Sequence, residues 1–258
     1  MSSLTLLFAF GLGTVLGSFL NVCIYRLPRG ESLIFPGSHC PHCGRQLSAF
    51  ELFPLISFLL LRGRCRGCQV LINPRYPLVE LLMGLLTALA FLLAAGNWLW
   101  LFFACFIVGC LLAIFFIDLE LQVIPDALSY AGIGAGLLYN LIRGPGTYFV
   151  SALIGACLGY LILFAIAWAG RLIFRQEALG EGDLFLAALL GACFGWQGLL
   201  LALLLSYLGA AAVLLAFLAV GRIKMGQPVP FGPALATGGI VTLFWGEQII
   251  RWYLFLPL

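Results

Sequence analysis

The chain has 258 residues, of which 63% are hydrophobic and only 9% charged, with a formal net charge of +3 and a mean hydropathy of +1.13. That balance excludes a soluble globular domain and defines a polytopic membrane protein. The small positive charge sits in a few loops and forms no basic surface of the kind nucleic acid requires.

A helical crossing needs about 20 mainly apolar residues to span a core about 30 Å thick. On that measure the chain is all-α, with eight spans at about 3–25, 77–95, 97–117, 127–142, 147–170, 184–197, 199–220 and 232–255. The fourth and sixth are short, as tilted or protein-buried helices are. The first opens with Met1-Ser2-Ser3 and has no basic n-region, so it reads as an uncleaved helix rather than a signal peptide. Three parts result: a first transmembrane helix at 1–25, a polar insert at 26–76, and a transmembrane domain at 77–258.

Arg26, Arg29, Arg45, Arg62, Arg64, Arg66 and Arg75 all fall between the first two spans, and basic residues concentrate in cytoplasmic loops. The insert is therefore expected on the cytoplasmic side and the N-terminus outside. Alternation puts 118–126, 171–183 and 221–231 on the cytoplasmic side too, and Arg171, Arg175, Arg222 and Lys224 agree.

The insert holds Cys40-Pro41-His42-Cys43 and Cys65-Arg66-Gly67-Cys68. Each pair places two thiolates on one tight turn, and two turns complete a tetrahedron around zinc. A pair of disulfides or a redox dithiol is the alternative, disfavoured in the cytoplasm. Four thiolates leave no open coordination position, so the zinc would be structural. Cys23, Cys105, Cys110, Cys157 and Cys193 fall in or beside apolar spans and read as small buried hydrophobes.

In "FFIDLELQVIPDALSY", Asp118 ends the third span and Asp126 begins the fourth, after the helix-breaking Pro125. Asp126 is placed to cap that helix. Asp118 lies where a helix dipole disfavours negative charge. Asp183, in Gly180-Glu181-Gly182-Asp183, opens the sixth span on the same side; capping is again one role for it. Gly180 and Gly182 leave the preceding backbone bare, which would let another backbone approach the carboxylate. Two aspartates meeting across a bundle would share one proton and titrate as a unit. One could then take a proton from water while the other donates to a carbonyl. The rival class is an ion- or proton-coupled transporter, which predicts acids near the midplane rather than at the cytoplasmic rim.

Taken in order, "GSFLNVCIYRLP" at 17–28, "SHCPHC" at 38–43, "LRGRCRGC" at 61–68, "RYPLVE" at 75–80, "IDLELQVIPD" at 117–126, "GEGD" at 180–183 and "PFGPALA" at 230–236 resemble the bacterial type IV prepilin peptidases. The resemblance covers nearly the whole chain. It implies eight transmembrane helices in the inner membrane and a GxGD-type aspartic protease with Asp118 and Asp183 as its catalytic pair; the resemblance, not the chemistry, ranks Asp118 above Asp126. It further implies prepilin or pseudopilin substrates, cut on the cytoplasmic side and then N-methylated with S-adenosylmethionine. Two departures stand out. Phe185 occupies a position where similar proteins commonly have lysine, and Glu51-Leu52-Phe53-Pro54 replaces a stretch where many have asparagine. The insert contains no glycine-rich nucleotide fingerprint, so methylation is implied by the resemblance alone.

"LIGACLGY" at 153–160 and "LGAAA" at 208–212 supply small residues suited to close helix packing. Pro228, Pro230, Phe231, Gly232 and Pro233 mark the rigid start of a helix, with lining of a cytoplasmic substrate groove as the alternative.

Overall fold

The computed structural model describes residues 3–174, 180–221 and 230–253. Arg175, Arg222, Lys224 and Pro228 lie outside the described residues. Among those described, the protein is all-helical apart from two isolated bridges. Its helices are α1 (Ser3–Arg26), a short α2 (Ile56–Leu60), α3 (Arg75–Ala94), α4 (Trp98–Leu121), α5 (Asp126–Arg143), α6 (Thr147–Phe174), α7 (Glu181–Ala219) and α8 (Gly232–Tyr253). Five of them, α1, α3, α4, α6 and α7, are long and apolar enough to cross a membrane. The chain divides into two compact units, Met1–Ala113 and Ile114–Leu258.

In the first unit α1 and α3 lie backbone against backbone. A Cβ at Gly13 would meet the Gly84 Cα at 2.8 Å, and one at Gly17 would meet the Glu80 Cα at 2.7 Å. Small residues at such crossings replace the hydrophobic drive that lipid removes. The insert is tied to this pair by polar bonds. Arg26 is buried and donates to the Ser32 carbonyl at 2.8 Å and the Pro36 carbonyl at 2.6 Å. Asn21 donates to the Tyr76 carbonyl at 3.0 Å, and Glu80 accepts from the Leu55 N–H at 2.8 Å.

The second unit is organised by α7. This element runs for 39 residues, yet Gly195 inside it has φ 70°, ψ −179°. Its first arm, Glu181–Phe194, packs antiparallel to α6: Gly159 faces Ala187, Gly155 faces Gly191, and Ser151 faces Gly195. α5 lies alongside the same arm, with Gly132 against Leu189 and Gly136 against Ala192. The second arm packs on α8, through Ser206 against Gly238 and Thr242 against Gly198.

A straight helix would separate Asp183 from Tyr207 by about 36 Å at 1.5 Å per residue. Instead the two are close enough for charge to act between them. The Tyr207 ring also packs, tilted, against Phe231, next to Gly232, with centroids 5.0 Å apart. The chain therefore doubles back at Gly195, so the sixth and seventh expected spans are the two arms of a hairpin, with the boundary a few residues earlier than the sequence reading placed it.

Two consequences follow for depth. Tyr207 returns to the level of the aspartates, and the second arm continues from Leu208 to Ala219, about 18 Å further. α6 likewise runs about ten residues, roughly 15 Å, past that level. Measured along α6 and the second arm, the aspartates thus lie below the tips of two helices. The small residues at 153–160 pack as expected, whereas a Cβ at Gly209 would meet nothing within 4 Å among the described residues.

Candidate active site

Asp118, three residues from the end of α4, and Asp183, in the first turn of α7, are both buried, at 6% and 8% exposure. They interact electrostatically, so the structure brings to one place two acids 65 positions apart in sequence. Each is held by a backbone amide. The Gly232 N–H donates to Asp118 Oδ2 at 2.9 Å, and the Gly180 N–H to Asp183 Oδ2 at 3.3 Å. Among the described residues, Asp183 Oδ1 is buried without a hydrogen-bond partner.

Asp118 is therefore less anomalous than the sequence suggests. It ends α4, where the dipole is unfavourable, but its carboxylate lies on the N-terminus of α8, where the dipole is favourable. For Asp183 the capping role is real: Gly180 is the N-cap residue of α7, and the Asp183 carboxylate reaches back to its N–H.

Gly180 and Gly182 do not adopt left-handed conformations. What Gly182 admits is this chain's own backbone: a Cβ there would sit 2.6 Å from the Ile124 Cβ and 3.4 Å from its carbonyl. The segment joining α4 to α5 is thereby seated against the Asp183 turn. Pro125 is the N-cap residue of α5, with no side-chain capping bond. Asp126 is the first residue of α5 and exposed, so it is not the side-chain cap that its position suggested. Phe185, at the position of the missing lysine, packs with Tyr130 at 5.2 Å and Tyr160 at 5.5 Å. An aromatic cluster replaces a charge there.

The sequence reading marked Gly232 as part of a rigid helix entry that could line a substrate groove, but not as a donor to Asp118. Nothing pointed to a return of Tyr207, because both placements depend on tertiary structure.

In the first unit, one sulfur from each of Cys40, Cys43, Cys65 and Cys68 lies within 4.8 Å of the others. Cys40 and Cys68 approach to 3.8 Å, which is the edge of a tetrahedron with metal–sulfur bonds of about 2.3 Å. The two turns are built alike. The Cys40 N–H bonds the Arg45 carbonyl and the Cys65 N–H the Val70 carbonyl, both at 2.9 Å. Backbone N–H groups of Cys68 and Gly67 pull the Cys65 thiol down, which favours the thiolate that a metal needs, while burial and the neighbouring cysteines push the Cys68 thiol up. The donor set and spacing fit a closed zinc site. His39 and His42 lie outside the four-sulfur cluster. For the methyl donor no comparable fit is found: among the described residues no strand leads into a glycine-rich turn, so no methyl-transfer step is assigned to particular side chains.

Together these features define a multi-pass α-helical membrane protein with a buried aspartate pair and a four-cysteine cluster. The two units are matched by two family models, the Bacterial Peptidase A24 N-terminal domain over residues 12–94 and the Type IV leader peptidase family over residues 105–216. The chain belongs to the type IV leader peptidase family. It is 42% identical to the prepilin leader peptidase/N-methyltransferase of Aeromonas hydrophila, over 97% of this chain and 93% of that protein. It is 39% identical to the protein of that name from Stutzerimonas stutzeri, over 95% of this chain and 92% of the relative. With the Pseudomonas aeruginosa protein it shares 38% identity, over 94% and 91% respectively. No solved structure matches the chain. Nothing in these findings supports a transporter.

Proposed function

We propose that this protein is a membrane aspartic endopeptidase that removes the basic leader from type IV prepilins or pseudopilins, and that it then methylates the new N-terminal residue with S-adenosylmethionine. The convergence of Asp118 and Asp183 from different helices, both buried, carries the peptidase reading. The family relationship and the names of the relatives support both activities. The arginine-rich insert supports an orientation with that insert and the aspartates toward the cytoplasm and the N-terminus outside.

In this reading a water lies between the two carboxylates. The ionised one takes its proton as the oxygen attacks the scissile carbonyl, and the protonated one donates to the carbonyl oxygen. Collapse of the tetrahedral intermediate returns a proton to the leaving amine. Asp183 Oδ1, buried and without a hydrogen-bond partner among the described residues, is left in this reading to bond the attacking water or the substrate carbonyl. The four cysteines would hold structural zinc and shape the insert at 26–76, leaving chemistry to the transmembrane helices.

The test is cleavage of a prepilin peptide by the full-length protein in liposomes, alongside methylation of a peptide already lacking its leader. Asp118→Asn and Asp183→Asn should each lose at least about 1,000-fold in cleavage, the scale expected when one member of a concerted pair is removed, and keep methylation. A variant that still cuts removes that aspartate from the mechanism.

A further inference from the structure

Glycine at position 232 is not required by the backbone, since Gly232 has no left-handed φ. It opens α8, where a helix former with a side chain would ordinarily serve. What excludes a side chain is Asp118: a Cβ at Gly232 would lie 2.6 Å from Asp118 Oδ2, 2.9 Å from its Cγ and 3.1 Å from its Cβ. The first-turn amides of α8 are otherwise accounted for. Ala234 and Leu235 donate to the Phe231 carbonyl at 3.0 and 3.1 Å, and Pro233 has no N–H to give. The Gly232 N–H is directed at Asp118 in a buried bond.

We propose that Gly232 is a positioning residue for the peptidase reaction: its main-chain N–H holds one oxygen of Asp118 so that the other is presented to water and substrate. The inference rests on the reading of Asp118 and Asp183 as the catalytic pair. α7 repeats the device, with the Gly180 N–H on one oxygen of Asp183 while the other oxygen has no partner. Each aspartate is thus held by a backbone amide at a helix start, a donor that cannot itself rotate away. Among the described residues, the titratable group facing Asp118 is Asp183, and Tyr207, on the second arm of α7, faces Asp183 in turn.

Gly232→Ala in the full-length enzyme in liposomes tests this, with Gly238→Ala as its partner. A Cβ at Gly238 would collide with Ser206 Oγ, in the same helix but away from the carboxylates. Gly232→Ala should lower kcat about 100-fold, the effect of misplacing a reacting group by about 1 Å. It should leave KM within about twofold, move the pH profile of kcat, and keep Tm and methylation of a pre-cut peptide. Gly238→Ala should lower Tm and keep the wild-type pH profile. The proposal is overturned if Gly232→Ala has the wild-type kcat and pH profile, or if its kcat falls only in step with Tm as in Gly238→Ala. Asp118→Asn separates the two readings. Cleavage surviving in it removes the aspartate pair itself, whereas an inactive Asp118→Asn beside a fully active Gly232→Ala removes only the clamp.

Discussion

Asn140 repairs the break that Gly195 makes. Where the helix stops, its last carbonyls lose their i+4 donors. The Asn140 amide donates to the carbonyls of Ala192 at 3.0 Å and Cys193 at 3.2 Å, as well as to Gly136 in its own helix. Those groups are buried in the unit, so a missing donor leaves polar atoms unsatisfied at about 1–3 kcal/mol. Asn140→Ala should accordingly lower Tm in detergent and reduce cleavage as the hairpin loosens. An unchanged Tm would show that the turn is satisfied without this side chain. In the sequence Asn140 is one polar residue in a short apolar span and gives no hint of its partners. Asp118 and Asp183 stand out in the sequence because a carboxylate in an apolar setting is conspicuous by itself, although the resemblance alone ranks Asp118 above Asp126. Asn140, Gly232 and Tyr207 acquire meaning only from what the fold brings to them.

At the scale of elements, the cysteine turns were legible because their chemistry is local: two residues between thiols dictate the turn. Their support was not. Arg45, from the first turn, forms an ion pair with Glu51, and Glu51 also accepts from the Ser48 N–H at 2.9 Å. The Ser48 N–H and then the Arg45 guanidinium hold the Glu51 carboxyl down at about 2. Its ionised form therefore stabilises the insert fully above the ordinary carboxylate range, and that contribution is lost as pH falls toward about 2. Metal analysis of purified protein should find about one zinc per chain, absent after Cys40→Ser with Cys43→Ser. Glu51→Gln should release zinc to a chelator faster than wild type at neutral pH. A folded, metal-free wild type would end the zinc assignment, and equal release rates would detach Glu51 from it. The Gly195 hairpin was partly legible, since the apolar run is too long for one crossing, but glycine in a lipid-facing sequence does not announce where a chain reverses.

For the molecule as a whole, hydropathy and arginine placement were enough to read an all-helical membrane chain with an insert after its first span. The two compact units, and the two family models that follow nearly the same division, were not anticipated. Their boundary falls inside α4, where the sequence is uniformly apolar and carries no punctuation.

The short first arm of α7 matters to the lipid as much as to the site. Glu181–Phe194 is about 21 Å long and the 18 residues of α5 about 27 Å, against about 42 Å for the 28 residues of α6. A hydrocarbon core of about 30 Å exceeds both lengths, and such a mismatch is met by tilting or by local thinning of the bilayer. Cleavage should then be fastest in vesicles of short acyl chains and fall as the chains lengthen, while methylation of a pre-cut peptide changes less. A cleavage rate indifferent to chain length would mean that protein, not lipid, fills the space above the short arm. With the expected dependence, membrane thickness becomes a control on leader removal, set by a single glycine in the middle of a helix.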